Sequence, residues 1–95
     1  GQSQYSAFLA PPASPQRTIE ELCTWMAGHL AADLGVAALA RQCRMSPRHF
    51  ARVFTRTKGV TPSRFVETLR VSVAESMLAD PSAEPKRVAS LAGFS

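Results

Sequence analysis

Hydrophobic positions along the chain recur with the three-and-four spacing of amphipathic helices, and no segment alternates with the period of two typical of a half-buried strand. The pattern therefore predicts an all-α fold. The first helical segment opens with a capping box formed by Thr18 and Glu21 and is expected to run to about Ala32. Its inward face carries Ile19, Leu22, Cys23, Met26, His29 and Leu30.

Two shorter segments follow, separated by a turn of about three residues. The first begins after Gly35 and carries Val36, Leu39, Ala40 and Cys43 on one face. In the second, Ser46 is a favourable N-cap, Pro47 follows where its missing N–H costs nothing, and Gly59 marks the end. The buried stripe of this second helix consists of Phe50, Val53, Phe54 and Thr57.

A longer helix is expected from Thr61 and Pro62, which repeat the cap-plus-proline signal, to about Ala79. Its inner face carries Phe65, Leu69, Val73, Met77 and Leu78. The residues that interrupt the pattern are Asp80, Pro81 and Ser82. A final helix begins at Pro85 and carries Val88, Ala89 and Ala92. Residues 1–17, by contrast, are rich in proline and small residues and are expected to form a linker or tail.

Residues 36–57 have the layout of a helix-turn-helix, a unit whose second helix fits the major groove of DNA. With about 100° per residue, Arg48, Arg52 and Arg56 form a ridge on the side of this helix opposite Phe50. Two helices joined by a short turn also occur in proteins that do not bind nucleic acid. A helical module that binds an acidic protein through the same arginines, or that dimerises, is therefore the alternative.

The charge distribution favours an anionic partner. The 95 residues carry a net charge of +4, but the stretch from Arg41 to Arg70 alone carries +7 and the remainder −3. No acidic residue lies between Asp33 and Glu67, so the arginines from Arg41 to Arg56 have no carboxylate three or four positions away. We therefore expect them to bind an external anion, and double-stranded DNA is the partner that the helix-turn-helix layout favours.

Individual roles follow from the chemistry of these side chains. Arg48 and Arg52 are expected to enter the groove, because a guanidinium can bind guanine O6 and N7 together. The residues expected at the DNA backbone are Arg44, Ser46, His49, Thr55, Arg56, Lys58 and Arg64.

The chain also contains an internal repeat. Shifted by 49 positions, residues 39–46 align with residues 88–95 and keep an identical Ala and an identical Ser, with apolar residues at three further positions. The repeat suggests two helix-turn-helix units joined by the long helix 62–79.

Taken together, these features resemble the AraC/XylS-type bacterial transcription regulators over roughly residues 18–95. The residues that carry the resemblance are Leu39-Ala40, Met45 to Phe54, Gly59 to Pro62, Phe65, Arg70, Ala74, Met77-Leu78, Val88-Ala89 and Gly93 to Ser95. The family's fold implies a homeodomain-like first subdomain at 18–61, a linker helix at 62–79 and the start of a second helix-turn-helix at 80–95. The positions that match its first set of base readers are Arg48, Ala51 and Arg52. Ala51 can offer only an apolar contact, for example to a thymine methyl group.

The resemblance carries further expectations. Arg44 stands where the family usually has glycine, so either an uncommon backbone conformation or a different turn is expected there. Ser95 aligns with the cap Ser46, which implies that a second recognition helix would follow it. In the full-length protein the family implies an N-terminal sensor domain, contact with RNA polymerase and a cytoplasmic location.

Other chemistries find little support in the sequence. Cys23, Cys43, His29 and His49 lack a zinc-finger arrangement, and the two cysteines lie on apolar helix faces, so buried free thiols are expected. No nucleophile elbow or phosphate-binding loop occurs, and no apolar run approaches the length of a membrane span. The sequence therefore predicts neither an enzyme nor a membrane protein, and it predicts no cofactor.

Overall fold

The structure is a computed structural model that describes residues 14–94. Within that range it contains five helices and no strand, which confirms the predicted all-α fold. The helices are α1 (Pro15–Ala27), α2 (Val36–Gln42), α3 (Pro47–Lys58), α4 (Pro62–Leu78) and α5 (Pro85–Leu91). None of these helices is both long and apolar enough to cross a lipid bilayer.

The first helix differs from the prediction at both ends. It begins at Pro15, because the Ser14 hydroxyl accepts a hydrogen bond from the Arg17 amide at 3.2 Å. Thr18 lies inside the first turn and donates its hydroxyl to the Ser14 carbonyl, so it is not the cap. The helix ends at Ala27, with Gly28 as its C-cap, instead of continuing to residue 32. Of the predicted tail at 1–17, residues 1–13 lie outside the described part of the chain, and residues 15–17 are helical.

The core lies where the first three helices meet the beginning of α4. Its fully buried large side chains are Ile19, Met26, Leu39, Phe50 and Phe54. The Phe54 ring packs at 5.7 Å from Phe50 and edge-on at 5.3 Å from Phe65, measured between ring centroids, so α3 and α4 are joined by aromatic contacts. This core supports α3 from one side and leaves its opposite side to solvent.

The inner face of α4 was only partly predicted. Val66 and Pro62 are its buried residues, whereas Phe65, Leu69, Val73 and Met77 are half-buried. Leu78 was expected inside but is 49% exposed. The physical reason is length: a helix of 17 residues is about 25 Å long, and its second half extends beyond the core formed by α1 to α3.

The internal repeat is visible in the backbone. Helix α5 spans the residues of α2 shifted by 49 positions, and both helices end in the same turn. The amide of Met45 donates to the Ala40 carbonyl at 2.9 Å, and the amide of Phe94 donates to the Ala89 carbonyl at 2.7 Å. These bonds join equivalent residues, so the weak sequence repeat reflects a repeated helix-and-turn structure.

The residue that reverses the chain in each turn has a left-handed backbone. In the first turn it is Arg44, with φ of 58°, and in the second it is Gly93, with φ of 90°. Arg44 is the only residue other than glycine with positive φ in the described part of the chain, which confirms the uncommon conformation, the first of the two alternatives expected there.

A candidate nucleic-acid interface

Helix α3 presents a basic face to solvent. Its inward residues Phe50 and Phe54 are completely buried and Val53 is nearly so. Thr57, predicted for the same stripe, is half-buried and donates its hydroxyl to the Val53 carbonyl at 2.8 Å. The side chains that the structure leaves exposed on the other faces of α3 are Arg48, His49, Arg52, Thr55 and Arg56.

Ala51 lies at the edge of this exposed face and is half-buried. At about 100° per residue, Ala51, Arg48, Thr55 and Arg52 occupy one continuous arc of the helix, whereas His49 and Arg56 lie on its other flank. The predicted base readers are thus neighbours on one surface. The small Ala51 side chain, at the edge of the face beside the two arginines, leaves room for another molecule to approach the helix closely.

The turn before α3 positions the beginning of this face. The Ser46 hydroxyl accepts a hydrogen bond from the His49 amide at 3.1 Å, and Pro47 occupies the first helical position. The cap uses the hydroxyl as an acceptor, so its hydrogen is still available to donate to an anion. The first turn of α3 contains no acidic residue, which leaves the positive end of the helix dipole without a neutralising side chain.

Two basic residues of the stretch 41–70 have partners inside the protein. Lys58 donates to Glu20 of α1 at 2.7 Å, and this hydrogen bond raises the pKa of its ammonium group. Arg70 donates to the carbonyl groups of Leu30 and Ala32. The expectation that every basic residue of the stretch binds an external anion is wrong for these two residues. Their partners lie 38 to 40 positions away in sequence, so the local charge pattern does not indicate them.

The other basic residues of the stretch make no salt bridge among residues 14–94, where the only ion pairs are Lys58 with Glu20 and Arg17 with Glu21. They are all exposed: Arg41, Arg44, Arg48, Arg52, Arg56 and Arg64. The structure therefore leaves six arginines unneutralised around and along α3 and at the start of α4.

The cysteine and histidine side chains show no metal-binding arrangement. No group of three or more histidine, cysteine or acidic residues in the described range could hold a metal ion. Cys23 and Cys43 are free and partly buried, and burial raises the pKa of both thiols. His29 was expected to be partly buried but is exposed, because α1 ends before it; its ring stacks on Trp25 at 4.2 Å.

Comparison with known proteins identifies the class of this domain. Residues 39–95 match the family described as the helix-turn-helix domain. The matched residues run from within α2 through α3 and α4 to the repeated turn after α5. The chain belongs to this family of AraC-type helix-turn-helix domains. It is therefore a DNA-binding domain of the kind found in transcription regulators, and the family and its relatives are regulators, not enzymes.

The similar proteins are all named as transcriptional regulators. The chain is 30% identical over 88 residues to the uncharacterized HTH-type transcriptional regulator YbfI of Bacillus subtilis. It is 37% identical over 59 residues to the HTH-type transcriptional regulator Rv1931c of Mycobacterium tuberculosis, and 32% identical over 74 residues to the HTH-type transcriptional activator RhaS of Escherichia coli. These matches cover 93%, 62% and 78% of the chain but only 32%, 23% and 27% of the three relatives. No solved structure matches the chain significantly.

Proposed function

We propose that α3 is a recognition helix that enters the major groove of double-stranded DNA and reads its sequence. The observation that carries this proposal is the exposed face on which Arg48, Ala51 and Arg52 are neighbours, opposite a fully buried aromatic stripe. A groove about 12 Å wide admits a helix, and the core behind α3 would hold that helix rigidly against the bases.

The chemistry of the reading face indicates the preferred bases. Arg48 and Arg52 each present a planar fork of donors that fits guanine O6 and N7. Ala51 has only a methyl group to offer, which suits the methyl group of thymine. The expected target is a guanine-containing site in which Ala51 faces a thymine.

The remaining exposed residues would bind the DNA backbone and set the register of α3. They are Arg44, Ser46, His49, Thr55, Arg56 and Arg64. Ser46 would donate its hydroxyl hydrogen to a phosphate beside the positive end of the α3 dipole. Lys58, expected at the backbone from its position in the sequence, would first have to leave Glu20, so we assign it to the contact between α1 and α3.

The repeat of α2 by α5 supports a second DNA-reading unit. In this proposal residues 18–61 form the first subdomain, 62–79 the linker helix and 80–95 the beginning of a second helix-turn-helix. The chain spans about a third or less of the length of its relatives. A longer parent protein would thus have room for an N-terminal sensor domain. We also propose that such a protein contacts RNA polymerase and acts in the cytoplasm.

The proposal is tested by comparing Arg52→Ala with Arg56→Ala. A preferred duplex is first obtained by selecting from a random library with the unmodified chain, and affinities are then measured on that duplex and on a panel of single-base changes. Arg52→Ala should cost about 1–3 kcal/mol and abolish discrimination at one base pair, because a base contact is lost. Arg56→Ala should weaken binding to all duplexes alike, because a phosphate carries no sequence information. Equal losses on every sequence for both variants would contradict the assignment of Arg52.

A further inference from the structure

Arg70 joins the long helix α4 to the first helical unit, α1 to α3, and the second unit, α5 and its turn, lies beside the same contact. Arg70, in the middle of α4, donates from Nε and Nη2 to the Leu30 carbonyl at 3.2 and 2.8 Å, and from Nη2 to the Ala32 carbonyl at 3.2 Å. Both acceptors lie in the irregular segment between α1 and α2. The planar guanidinium therefore holds α4 to the first unit through directional, charge-assisted hydrogen bonds.

The second unit approaches the Arg70–Leu30 hydrogen bonds at Gly93. A methyl group at this position would overlap the Leu30 carbonyl oxygen and the Nε atom of Arg70. Gly93 also has a φ of 90°, which favours glycine independently of the space available. The turn after α5 thus contacts the hydrogen-bonded pair that joins α4 to the first unit.

Apolar packing around this junction is sparse. An open cleft of about 580 Å³ separates residues 31–35 from α4 and from Phe94. On α5 and its turn only Val88 and Ala92 are buried, whereas Leu91 and Phe94 are 50% and 41% exposed. Two buried apolar side chains give the second unit little close packing against the rest of the fold. The direction of α5 therefore depends on the hydrogen bonds of Arg70 and on the close approach of Gly93.

We propose that Arg70 and Gly93 form a bracket that fixes the direction of α5 relative to α3. Arg70 is in this view a positioning residue: it does not contact DNA but determines where the second unit lies when α3 is in the groove. The consequence for DNA rests on the proposed function, whereas the bracket itself is a property of the free protein and can be tested without DNA.

The test measures the orientation of helices in the free chain by amide residual dipolar couplings. In the unmodified chain the couplings of α3 and α5 should fit one alignment tensor. In Arg70→Ala the two helices should require separate alignment tensors, and the tensor of α5 should have the smaller magnitude. Gly93→Ala breaks the bracket without changing charge and should give the same result. Arg87→Ala, which removes an exposed charge from α5, is the matched control and should keep the common tensor.

The outcomes separate the bracket from a general effect on stability. A common tensor in both Arg70→Ala and Gly93→Ala would overturn the proposal, even if both variants melt earlier. If Arg70→Ala does not fold, Arg70→Lys replaces it: this variant keeps the charge but loses the planar fork, and it should also show separate tensors. Retention of the common tensor in Arg70→Lys and Gly93→Ala would overturn the proposal equally.

A DNA readout with the same variants extends the test. Arg70→Ala should keep the base discrimination that depends on Arg52 but should broaden or shift the protected segment contacted by the second unit. If the unmodified protein binds no duplex, the proposed function fails while the tensor result still decides the bracket. If it binds and the protected segment is unchanged in Arg70→Ala and Gly93→Ala, the positioning role on DNA is wrong.

Discussion

At the residue scale, basic side chains of similar sequence context have different roles. Arg52 and Arg70 both lie in a stretch with a single acidic residue, yet one is exposed on α3 and the other is bonded to two carbonyl groups. Lys58 is close to Arg56 in sequence but lies on the side of α3 that faces Glu20. The charge pattern of the sequence predicts basic side chains for an external anion. The position of each side chain on its helix decides which of them are free to bind it.

Arg44 provides a prediction at this scale. Its left-handed backbone is unfavourable for any residue with a β-carbon, and glycine occupies the equivalent position 93. Arg44→Gly should raise the free energy of unfolding by about 0.5–1 kcal/mol, because relief of the backbone strain exceeds the entropic cost of glycine. Urea denaturation would measure this difference.

Arg44→Ala is the matched control, since it removes the same charge but keeps the strained backbone. It should show no gain in stability. Both variants should lose the same DNA affinity if the side chain binds a phosphate. A stability gain of equal size in Arg44→Ala would show that charge, not backbone conformation, limits stability at this position.

At the scale of elements, local signals located most helix boundaries. The cap-plus-proline pairs at Ser46 and Thr61 mark the first residues of α3 and α4, and Gly59 ends α3 with φ of 80°. The start of α1 was missed because Ser14 with Pro15 competes with the capping box at Thr18. A proline at the first helical position stabilises the earlier start, since its φ is already helical.

Ser46 is expected to have two separable roles. Ser46→Ala should lower the free energy of unfolding by about 1 kcal/mol, because the His49 amide loses its side-chain acceptor. Ser46→Asp should keep the cap and the stability but weaken DNA binding, because its charge repels a nearby phosphate. Thermal unfolding and duplex affinity would be measured on both variants.

Ser46→Thr is the neutral control for this pair, since it keeps both a cap and a hydroxyl donor. It should retain stability and most of the DNA affinity. If Ser46→Asp bound DNA as tightly as the unmodified chain, no phosphate could lie next to this cap, and the proposed placement of the α3 N-terminus would be wrong.

At the scale of the whole molecule, the structure concentrates positive charge around one helix. The net charge of +4 is the balance of a basic stretch and an acidic remainder, and Lys58 and Arg70 of that stretch have partners inside the fold. The six exposed arginines lie along α3, before it and at the start of α4. This distribution is suited to a polyanion that contacts several cations together.

The salt dependence of duplex binding tests this distribution. If the domain neutralises about five phosphates, the logarithm of the binding constant should fall with the logarithm of salt concentration with a slope near −4.5. Arg56→Ala should reduce the slope by about 0.9, and Lys58→Ala, whose side chain is paired with Glu20, should leave it almost unchanged. A flat titration, or no duplex binding at low salt, would favour the alternative of a module that binds an acidic protein.

Local sequence was sufficient to locate α2 to α5 and the outward direction of Arg48 and Arg52, because caps, prolines and helical periodicity act within a few residues. The uncommon backbone at Arg44 was expected only from the family resemblance. Tertiary structure alone decided which cations remain free and how the second unit is attached. Glu20 is 38 positions from Lys58, and Leu30 is 40 positions from Arg70. Contacts between residues so far apart in sequence form only when the helices pack, so no local sequence pattern predicts them.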